Sequence, residues 1–563
     1  MPISQPVYTL TNECQDCYKC IRECPVKAIK VEKGHAFVMQ DKCISCGNCV
    51  IVCPCNAKRV RSDVGIATEL LESTKKVYAS LAPSWRGAFD CTETEIISSL
   101  KKLGFTGVSE TALGAQEVSI KTAEILNKAE NGFFISSACP VVVEYIRKYR
   151  PEFVKNIVPI ASPALTHAKM LKEMYGEDIS VIFIGPCIGK KNESDTNKNL
   201  IDVSLTFEEL KLMFEESFIN IHKERNLEDI KFLPHNANEG NFYPIDGGMN
   251  RTLKQIGVKN CILTEFASLK SFEKALDGFN PNDCTKVTFA EVLACEGGCI
   301  GGPCISTEKS EIMLISDILT RTKLRDSIPK EPLSVVHMDY ATKQEDLKEY
   351  SLEEINEALK KLGKSNPEDE LNCGGCGYNT CRELALALIA GTAEPSMCVS
   401  YMRKLAMQKA SIMIRCMPSS VVIVDSFLRI LEANTSFIRA FTGDMADIFE
   451  ADGIAGASLD RIVDIVDIFK EVFTLGHEIH KEHYCLGEKI YDIIAFVLEP
   501  GKVAGAIITD VTKTQMNREK IARRANEVIS KNISIVQEIA CLLGEHMVET
   551  ETLLSSIADD YDK

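Results

Sequence analysis

The chain has 563 residues, of which 24 are cysteines, and its 64 Lys and Arg against 80 Asp and Glu give a formal net charge of −16. This length predicts about three to four domains, and 26% charged with 45% hydrophobic residues excludes wholesale disorder. The acidic balance argues against binding to nucleic acid or to an anionic membrane surface, since both need basic patches.

The sequence shows neither a secretory leader pattern nor an apolar run long enough to cross a bilayer. We therefore expect a cytoplasmic protein with no membrane partner. In that reducing compartment the cysteines are expected to be metal ligands or free thiols rather than disulfides.

Residues 1–62 contain a cysteine motif, Cys-x2-Cys-x2-Cys-x3-Cys-Pro, that occurs twice. Its cysteines are Cys14, Cys17, Cys20 and Cys24 in the first copy, and Cys43, Cys46, Cys49 and Cys53 in the second. Three closely spaced thiolates hold one cubane while the fourth ligates the other cluster. The motif therefore predicts cluster one on Cys14, Cys17, Cys20 and Cys53, and cluster two on Cys43, Cys46, Cys49 and Cys24. The trailing proline favours iron–sulfur ligation over two zinc sites, and the segment resembles bacterial two-cluster ferredoxins.

Residues 75–320 alternate short apolar runs with helical patterns, which predicts α/β layers with functional loops at the strand ends. Three of these loops carry four cysteines: Cys139, Cys187, Cys295 and Cys299. Four cysteines from three loops can ligate one cubane, and the glycines around Cys299 let the backbone approach a bulky cofactor. Lys190 can donate hydrogen bonds to an anionic ligand. A purely structural cluster, or buried inert cysteines, is the alternative interpretation.

In order and content these loops resemble those of the [FeFe]-hydrogenase catalytic domain, over about residues 75–310. The resemblance implies an H-cluster, in which a [4Fe–4S] cubane is joined through one thiolate to a diiron unit with carbonyl, cyanide and dithiolate-amine ligands. It implies H2 and protons as reactants, diiron maturation factors, and electrons passed through the N-terminal clusters from a ferredoxin-like or other redox partner. The implied cubane ligands are Cys139, Cys187, Cys295 and Cys299, with Cys299 as the bridge.

The resemblance also implies roles for residues around the cubane. Lys190 would contact one cyanide, and Ala82, Pro83 and Ser84 the other. Glu193 matches a glutamate of the proton route.

Departures from the family pattern occur at the same site. Ala138 stands where vigorous members carry the cysteine that passes protons to the bridgehead amine, and a methyl group can neither donate nor accept a proton. Gly185, which precedes Pro186, and Leu293 stand where methionines usually pack. These departures predict slow turnover.

A third cysteine unit follows, with Cys373, Cys376, Cys381 and Cys398. Its glycines let the first two thiolates fold back, and we predict one further [4Fe–4S] cluster with zinc as the alternative. The unit resembles a small cluster domain of corrinoid-pathway proteins and sensory-type hydrogenases.

Residues beyond 412 change character again. The strand-like runs from 421 to 512 around a helical middle resemble a PAS domain, and we interpret His477, His480 and His483 as a solvated polar segment rather than a metal site. The helical spacing after 515 leaves an apolar stripe that needs a partner, which predicts a homodimer.

The predicted fold class is multidomain α/β and α+β. The predicted domains are a two-cluster ferredoxin-like domain (1–62), an H-cluster domain (75–320), a helical linker (321–365), a four-cysteine cluster domain (366–411), a PAS-like domain (412–514) and a C-terminal amphipathic helix (515–563). The domain order resembles sensory [FeFe]-hydrogenases, which predicts slow, reversible H2 turnover and relay of H2 or redox state to a signalling partner in trans. The alternatives are a ferredoxin-linked or bifurcating hydrogenase subunit, and an iron–sulfur electron-transfer protein without the diiron site.

Overall fold

The structure is a computed structural model that describes residues 5–223, 230–307, 309–325, 328–329, 331–343, 350–512 and 528–536. The chain divides into two compact units, Met1–Met397 and Cys398–Lys563. No helix among the described residues is long and apolar enough to cross a membrane.

The first unit begins with a small domain of short elements. They are β1 (Val7–Thr9), α1 (Lys19–Glu23), β2 (Ile29–Glu32), β3 (His35–Val38), α2 (Asn48–Ile51), β4 (Lys58–Val60) and α3 (Val64–Glu72). Strand β1 pairs antiparallel with β4, and β2 pairs antiparallel with β3. Each cysteine motif thus supplies one short helix and leads into a short strand.

The central part of the first unit is an α/β domain. Its elements are β5 (Val77–Leu81), α4 (Trp85–Ala88), α5 (Glu93–Lys102), β6 (Gly107–Glu110), α6 (Ala112–Lys128), β7 (Gly132–Ile135), α7 (Pro140–Tyr149), α8 (Pro163–Tyr175), β8 (Ser180–Gly185), α9 (Gly189–Thr196), β9 (Val203–Thr206), α10 (Phe207–Glu216), α11 (Gly248–Ile256), β10 (Cys261–Ala267), α12 (Leu269–Leu276), β11 (Val287–Leu293) and α13 (Glu311–Arg321).

These strands form two parallel sheets, with the orders β6-β5-β8-β9 and β10-β11-β7. Every residue of β5 and β8 is buried, as expected for parallel strands covered on both faces. Functional residues of open α/β sheets gather outside the carboxyl ends of such strands. The loops with the four central cysteines follow β7, β8 and β11, and Ala82–Pro83–Ser84 follows β5.

Local sequence signals fix several helix starts. The helices α5 and α10 begin with capping boxes, in which Thr92 pairs with Glu95 and Thr206 pairs with Glu209. Helix α7 begins with Pro140, directly after Cys139, because the first turn of a helix needs no amide donor at that position.

The segment predicted as a helical linker, 321–365, is helical over only part of its length. Helix α14 (Leu352–Lys361) is present, whereas the described residues between 322 and 343 are not helical. Pro329 and Pro332 interrupt helical hydrogen bonding there. The backbone instead bonds to the α/β domain: Leu333 N–H donates to Glu117 at 2.5 Å. Beyond this segment, α15 (Cys381–Ile389) packs against α14.

The second unit contains α16 (Val399–Cys416), β12 (Ser420–Asp425), β13 (Ile430–Ala433), α17 (Thr435–Phe441), α18 (Ala446–Asp452), α19 (Val466–Leu475), β14 (Ile479–Leu486), β15 (Lys489–Glu499) and β16 (Val503–Asp510). The strands form one antiparallel sheet of order β13-β12-β16-β15-β14. A further helix, α20, spans 528–536. The rest of the predicted C-terminal helix, 515–563, lies outside the described residues.

Strand β14 falls on the histidine-rich segment that the sequence analysis treated as a solvated polar segment. It is an edge strand whose side chains are mostly exposed, so it lacks the apolar alternation that marks a half-buried strand. His477, His480 and His483 are exposed, and among the described residues they do not gather into a metal-ligating group.

Candidate functional site

The eight motif cysteines of the N-terminal domain fall into two groups of thiols. Burial raises the pKa of Cys20 to about 11, and Cys14, Cys17 and Cys53 raise it further. Burial raises the pKa of Cys46 to about 12, to which Cys24 and Cys43 also contribute. Cys49 likewise interacts with Cys46, Cys43 and Cys24. The structure therefore brings together the same two sets, each with its fourth cysteine from the other motif, that the spacing predicts.

The backbone also favours anionic sulfur at these positions. Ala28 N–H donates to Cys24 Sγ at 3.3 Å, and Ala57 N–H donates to Cys53 Sγ at 3.2 Å. The two bonds occupy equivalent places, four residues after the last cysteine of each motif. Hydrogen bonds to cluster sulfurs are among the features that tune iron–sulfur centres.

The spacing of the thiols does not suit single zinc ions. Zn–S bonds of about 2.3 Å in a tetrahedron place the sulfurs ~3.8 Å apart. Within the described part of the chain, the only three metal-ligating side chains whose ligand atoms lie within 4.8 Å of one another are Cys14, Asp16 and His35. No three motif cysteines are that close, which agrees better with ligands at the corners of a cubane.

A cavity of about 100 Å³ lies at the carboxyl ends of the central strands. Its wall includes all four central cysteines, Cys139, Cys187, Cys295 and Cys299. The wall is almost entirely apolar apart from a few groups, among them Lys190, Ser84 and Tyr243. Ligand sites commonly have this composition, with few polar groups placed among apolar ones.

The four central thiols lie close enough to interact electrostatically. Burial raises the pKa of Cys187 to about 11, and Cys139 raises it further, whereas Lys190 opposes the shift. The pKa values of Cys295 and Cys299 are raised by burial and by the other thiols. Four thiolates in this low-dielectric cavity need a cationic centre, which an iron–sulfur cluster supplies.

Lys190 and Glu193 lie one helical turn apart on α9. The Lys190 ammonium donates to Glu193 Oε2 at 2.7 Å and to Ser162 Oγ at 2.8 Å. The Ser162 hydroxyl donates to the same carboxylate oxygen at 2.9 Å. Lys190 thus lines the cavity with its charge balanced by a glutamate behind it.

The residues after β5 also line the cavity, and one has an unpaired polar atom. Ala82, Pro83 and Ser84 are all in its wall, and Ser84 is 1% exposed. Its hydroxyl has no hydrogen-bond partner among the described residues. A buried hydroxyl without a partner is unfavourable, so its position at the wall fits a site whose ligand accepts a hydrogen bond there.

Two of the residues that depart from the family pattern, Ala138 and Leu293, line the cavity. Pro186, which follows the third of them, Gly185, lines it as well. The Ala138 N–H donates to Ser136 Oγ at 3.2 Å, and its methyl group offers no proton. At Gly185 a Cβ would lie 2.7 Å from the Phe183 ring, so a methionine there requires that ring to move.

The second thiol set of the N-terminal domain reaches this cavity. Cys46 is part of its wall, and Cys46 interacts electrostatically with Cys295. Gly47 makes the close approach possible: its φ is +85°, and a Cβ would lie 2.6 Å from Pro303 Cβ. Cluster two is therefore the N-terminal cluster whose predicted ligands adjoin the cavity.

The third cysteine set is divided by the unit boundary. Cys373, Cys376 and Cys381 belong to the first unit, and Cys376 and Cys381 are buried whereas Cys373 is exposed. Cys398 is the first residue of the second unit and caps helix α16.

Sequence reasoning missed Tyr340, which lies beside Glu193. Its hydroxyl donates to Ile160 O at 2.8 Å, and burial together with Glu193 raises its pKa. Its side chain also bonds to Ser137, next to Ala138. No motif identifies Tyr340, because it reaches the site from a segment about 150 residues beyond α9.

Comparison with known protein families agrees with this geometry. Residues 75–303 match the family described as the iron only hydrogenase large subunit, C-terminal domain. Residues 6–54 match the 4Fe-4S dicluster domain, and residues 369–400, which include all four cysteines of the third set, match a putative Fe-S cluster family.

Individual relatives are more distant. Iron hydrogenase 1 of Clostridium pasteurianum is 24% identical over 290 residues, which cover 40% of this chain and 50% of that protein. The cytosolic Fe-S cluster assembly factor NAR1 of Candida dubliniensis is 29% identical over 164 residues, which cover 24% of this chain and 28% of that protein. The chain thus spans half or less of the length of these relatives.

Solved structures match at low identity. A variant of the [FeFe]-hydrogenase HydA1 from Chlamydomonas reinhardtii is 18% identical with a TM-score of 0.40, covering 51% of this chain and 100% of that one. The PAS domain of nitrogen regulation protein NR(II) from Vibrio parahaemolyticus is 14% identical with a TM-score of 0.15, covering 18% and 95%.

These matches support an [FeFe]-hydrogenase-like iron–sulfur protein, in which residues 6–54 are similar to a 4Fe-4S dicluster domain and residues 75–303 to the hydrogenase large-subunit domain.

Proposed function

We propose that the protein is a slow, sensory [FeFe]-hydrogenase that interconverts H2 with protons and electrons and reports H2 or redox state to a partner. The observation that carries this proposal is the cavity at the strand ends, where four cysteines, Lys190 and the unpaired Ser84 hydroxyl meet. When bound there, an H-cluster would supply the reversible two-electron chemistry of H2. The protein's own part is to hold that group, exclude water and deliver protons and electrons.

The residues that line the cavity have three distinct roles in the proposal. Cys139, Cys187, Cys295 and Cys299 would hold the cubane, with Cys299 as the bridge to the diiron unit. Lys190 and the Ala82–Ser84 turn face the same space and would donate hydrogen bonds to the two cyanide ligands. Pro186 and Leu293 would complete the apolar wall, which keeps water out and strengthens those hydrogen bonds.

Slow turnover follows from the proton supply. General acid–base groups in the right place contribute about 10²–10⁴-fold to a rate, and Ala138 offers none at the position where the family pattern has a cysteine. Among the described residues, Glu193 is connected to the cavity through Lys190 and Ser162, or through Tyr340. Protons must therefore take a longer route.

The second unit supports a signalling role. Its sheet has the order β13-β12-β16-β15-β14, and three helices lie between β13 and β14 in the chain. This arrangement suits a PAS domain. Its core packs the helix residues Phe437 and Phe469 against the sheet, which contributes Tyr491. In this proposal a separate partner protein binds that domain and responds to its state. A second copy of the chain pairs with the first through the C-terminal region.

Turnover and relay can be tested separately. For turnover, matured protein is assayed for H2 oxidation under saturating electron acceptor. We expect a slow but measurable rate, and a rate equal to that of a vigorous hydrogenase contradicts the slow-enzyme proposal.

For relay, a chain lacking residues 412–563 is expected to lose every H2-dependent response in cells, and an intact response contradicts the sensory role.

The match to the assembly factor NAR1 favours a second candidate. In that case the chain is an iron–sulfur protein that never receives the diiron unit. It would then show neither diiron insertion nor H2 turnover after exposure to the maturation factors.

A further inference from the structure

The third cysteine segment lies directly on the N-terminal domain within the first unit. Val31 N–H donates to Thr392 O at 2.9 Å. The β2–β3 turn donates twice to one carboxylate: Lys33 N–H reaches Glu394 Oε1 at 2.7 Å, and Gly34 N–H reaches Glu394 Oε2 at 3.2 Å. These bonds join elements about 360 residues apart in sequence, so the two segments form a specific hydrogen-bonded interface.

The loop between Cys376 and Cys381 packs closely against helix α1. Gly377 has a φ of +91°, and a Cβ there would lie 3.1 Å from Ile21 Cβ and 3.2 Å from Arg22 N. Arg22 Nη2 donates to Gly375 O at 3.3 Å. Only glycine allows this backbone to approach helix α1 so closely.

Lys27 connects the two sides of the contact. Its ammonium donates to Ile21 O and Arg22 O, each at 3.1 Å, on the ferredoxin-like side. It donates to Gly377 O at 2.9 Å on the other side. The side chain also interacts electrostatically with both Cys24 and Cys376, and so does the buried Tyr378.

The cysteine on the N-terminal side of this contact belongs to cluster two. Cys24 lies with Cys43, Cys46 and Cys49, and Cys46 is part of the wall of the central cavity. Cluster two therefore adjoins the third cluster through Cys24 and the cavity through Cys46. Cys17, a predicted ligand of cluster one, is exposed.

We propose that cluster two is a branch point at which electrons from the third cluster, crossing the Lys27–Gly377 contact, join the route to the central cavity. Cluster one is a separate entry that faces solvent. In the transfer, one electron leaves the reduced third cluster, which becomes oxidised, and reduces cluster two; no bond changes and no proton moves. The proposal rests on the cubanes but not on the diiron unit, so it stands or fails independently of H2 turnover.

The test uses full-length protein loaded anaerobically with iron and sulfide and left without the diiron unit. Electron paramagnetic resonance of the dithionite-reduced protein reports magnetic interaction between neighbouring clusters. We expect Cys376→Ser to abolish the interaction that broadens the cluster-two signal, and Cys17→Ser to leave that interaction in place. The proposal is wrong if Cys376→Ser leaves the cluster-two signal unchanged, or if Cys17→Ser removes the broadening assigned to the third cluster.

A second variant keeps every cysteine. Lys27→Met removes a positive charge that favours the reduced, more negative state of both clusters, so the midpoint potentials of cluster two and the third cluster should both fall. Lys30→Met is the matched control, because the Lys30 side chain is 41% exposed and pairs with Glu32 on the surface, where solvent screens the charge. Equal potentials in the two variants, or a shift confined to one of the two clusters, would contradict the shared contact.

Discussion

The Ser84 hydroxyl allows a prediction whose sign depends on the cofactor. It is buried and unpaired at the cavity wall. An unsatisfied buried polar group costs about 1–3 kcal/mol. In protein with its cubanes but no diiron unit, Ser84→Ala should therefore raise the free energy of unfolding by about 1 kcal/mol, after allowance for the small void.

Ser80→Ala is the matched control. The Ser80 hydroxyl is also buried, but it bonds to Thr111 Oγ1 at 2.8 Å and to His167 Nδ1 at 2.7 Å. Its removal leaves both partners short of a bond, so this variant should lose about 2 kcal/mol. The two serines lie in and just after the same strand, β5, and the substitution is identical.

The assay follows the fluorescence of Trp85 during chemical denaturation. The chain has one tryptophan, and Trp85 is fully buried next to Ser84, so its emission reports unfolding of the α/β domain. After diiron insertion the hydroxyl gains a charged acceptor, and Ser84→Ala should instead lose about 1.5–3 kcal/mol. If Ser84→Ala destabilises the diiron-free protein as much as Ser80→Ala does, the reasoning about the cavity is refuted.

Three further predictions concern other parts of the first unit. Ala138→Cys should raise the rate of H2 oxidation in stopped assays by at most about 10²-fold, below the full general acid–base contribution, because Gly185 and Leu293 still differ from the family pattern; an unchanged rate contradicts a proton-limited step. Burial raises the pKa of Glu110 from 4.5 to about 7, so the folded state favours the protonated carboxyl and the free energy of unfolding falls as pH rises from 4.5 to 7. In Glu110→Gln this decrease, measured in denaturation curves at several pH values, should be smaller by at most about 3 kcal/mol. Lys191→Met should cost about 3–5 kcal/mol, because it leaves Glu209 without the ammonium that contacts it at 2.8 Å and leaves Asp63 with Arg61 as its cation; a loss under 1 kcal/mol in urea titrations contradicts that buried network.

Much of the site could be read from the sequence because its chemistry is local. Cysteine spacing fixes which thiols can share a cubane, and the structure groups Cys24 with the second motif, as that spacing predicts. The loops with Cys187 and Cys299 follow strands, and parallel strands deliver their carboxyl ends to one place. These features need no knowledge of distant contacts.

Long-range contacts could not be read in this way. The linker segment has a helix-favouring composition, yet its backbone bonds to Glu117 and the Pro159–Ala161 loop instead. The contact of Gly377 with helix α1 depends on a surface that no local pattern describes. Strand β14 has no apolar alternation, because it lies at the exposed edge of its sheet.

Infrared spectroscopy of the matured full-length chain shows whether the diiron unit occupies the central cavity. Carbonyl and cyanide stretching bands arise only if the diiron unit occupies the cavity, since no amino-acid side chain absorbs there with that pattern. We expect both sets of bands, with cyanide bands that shift in Ser84→Ala. Protein that has been exposed to the maturation factors, retains its iron–sulfur absorbance and shows neither set of bands would contradict it.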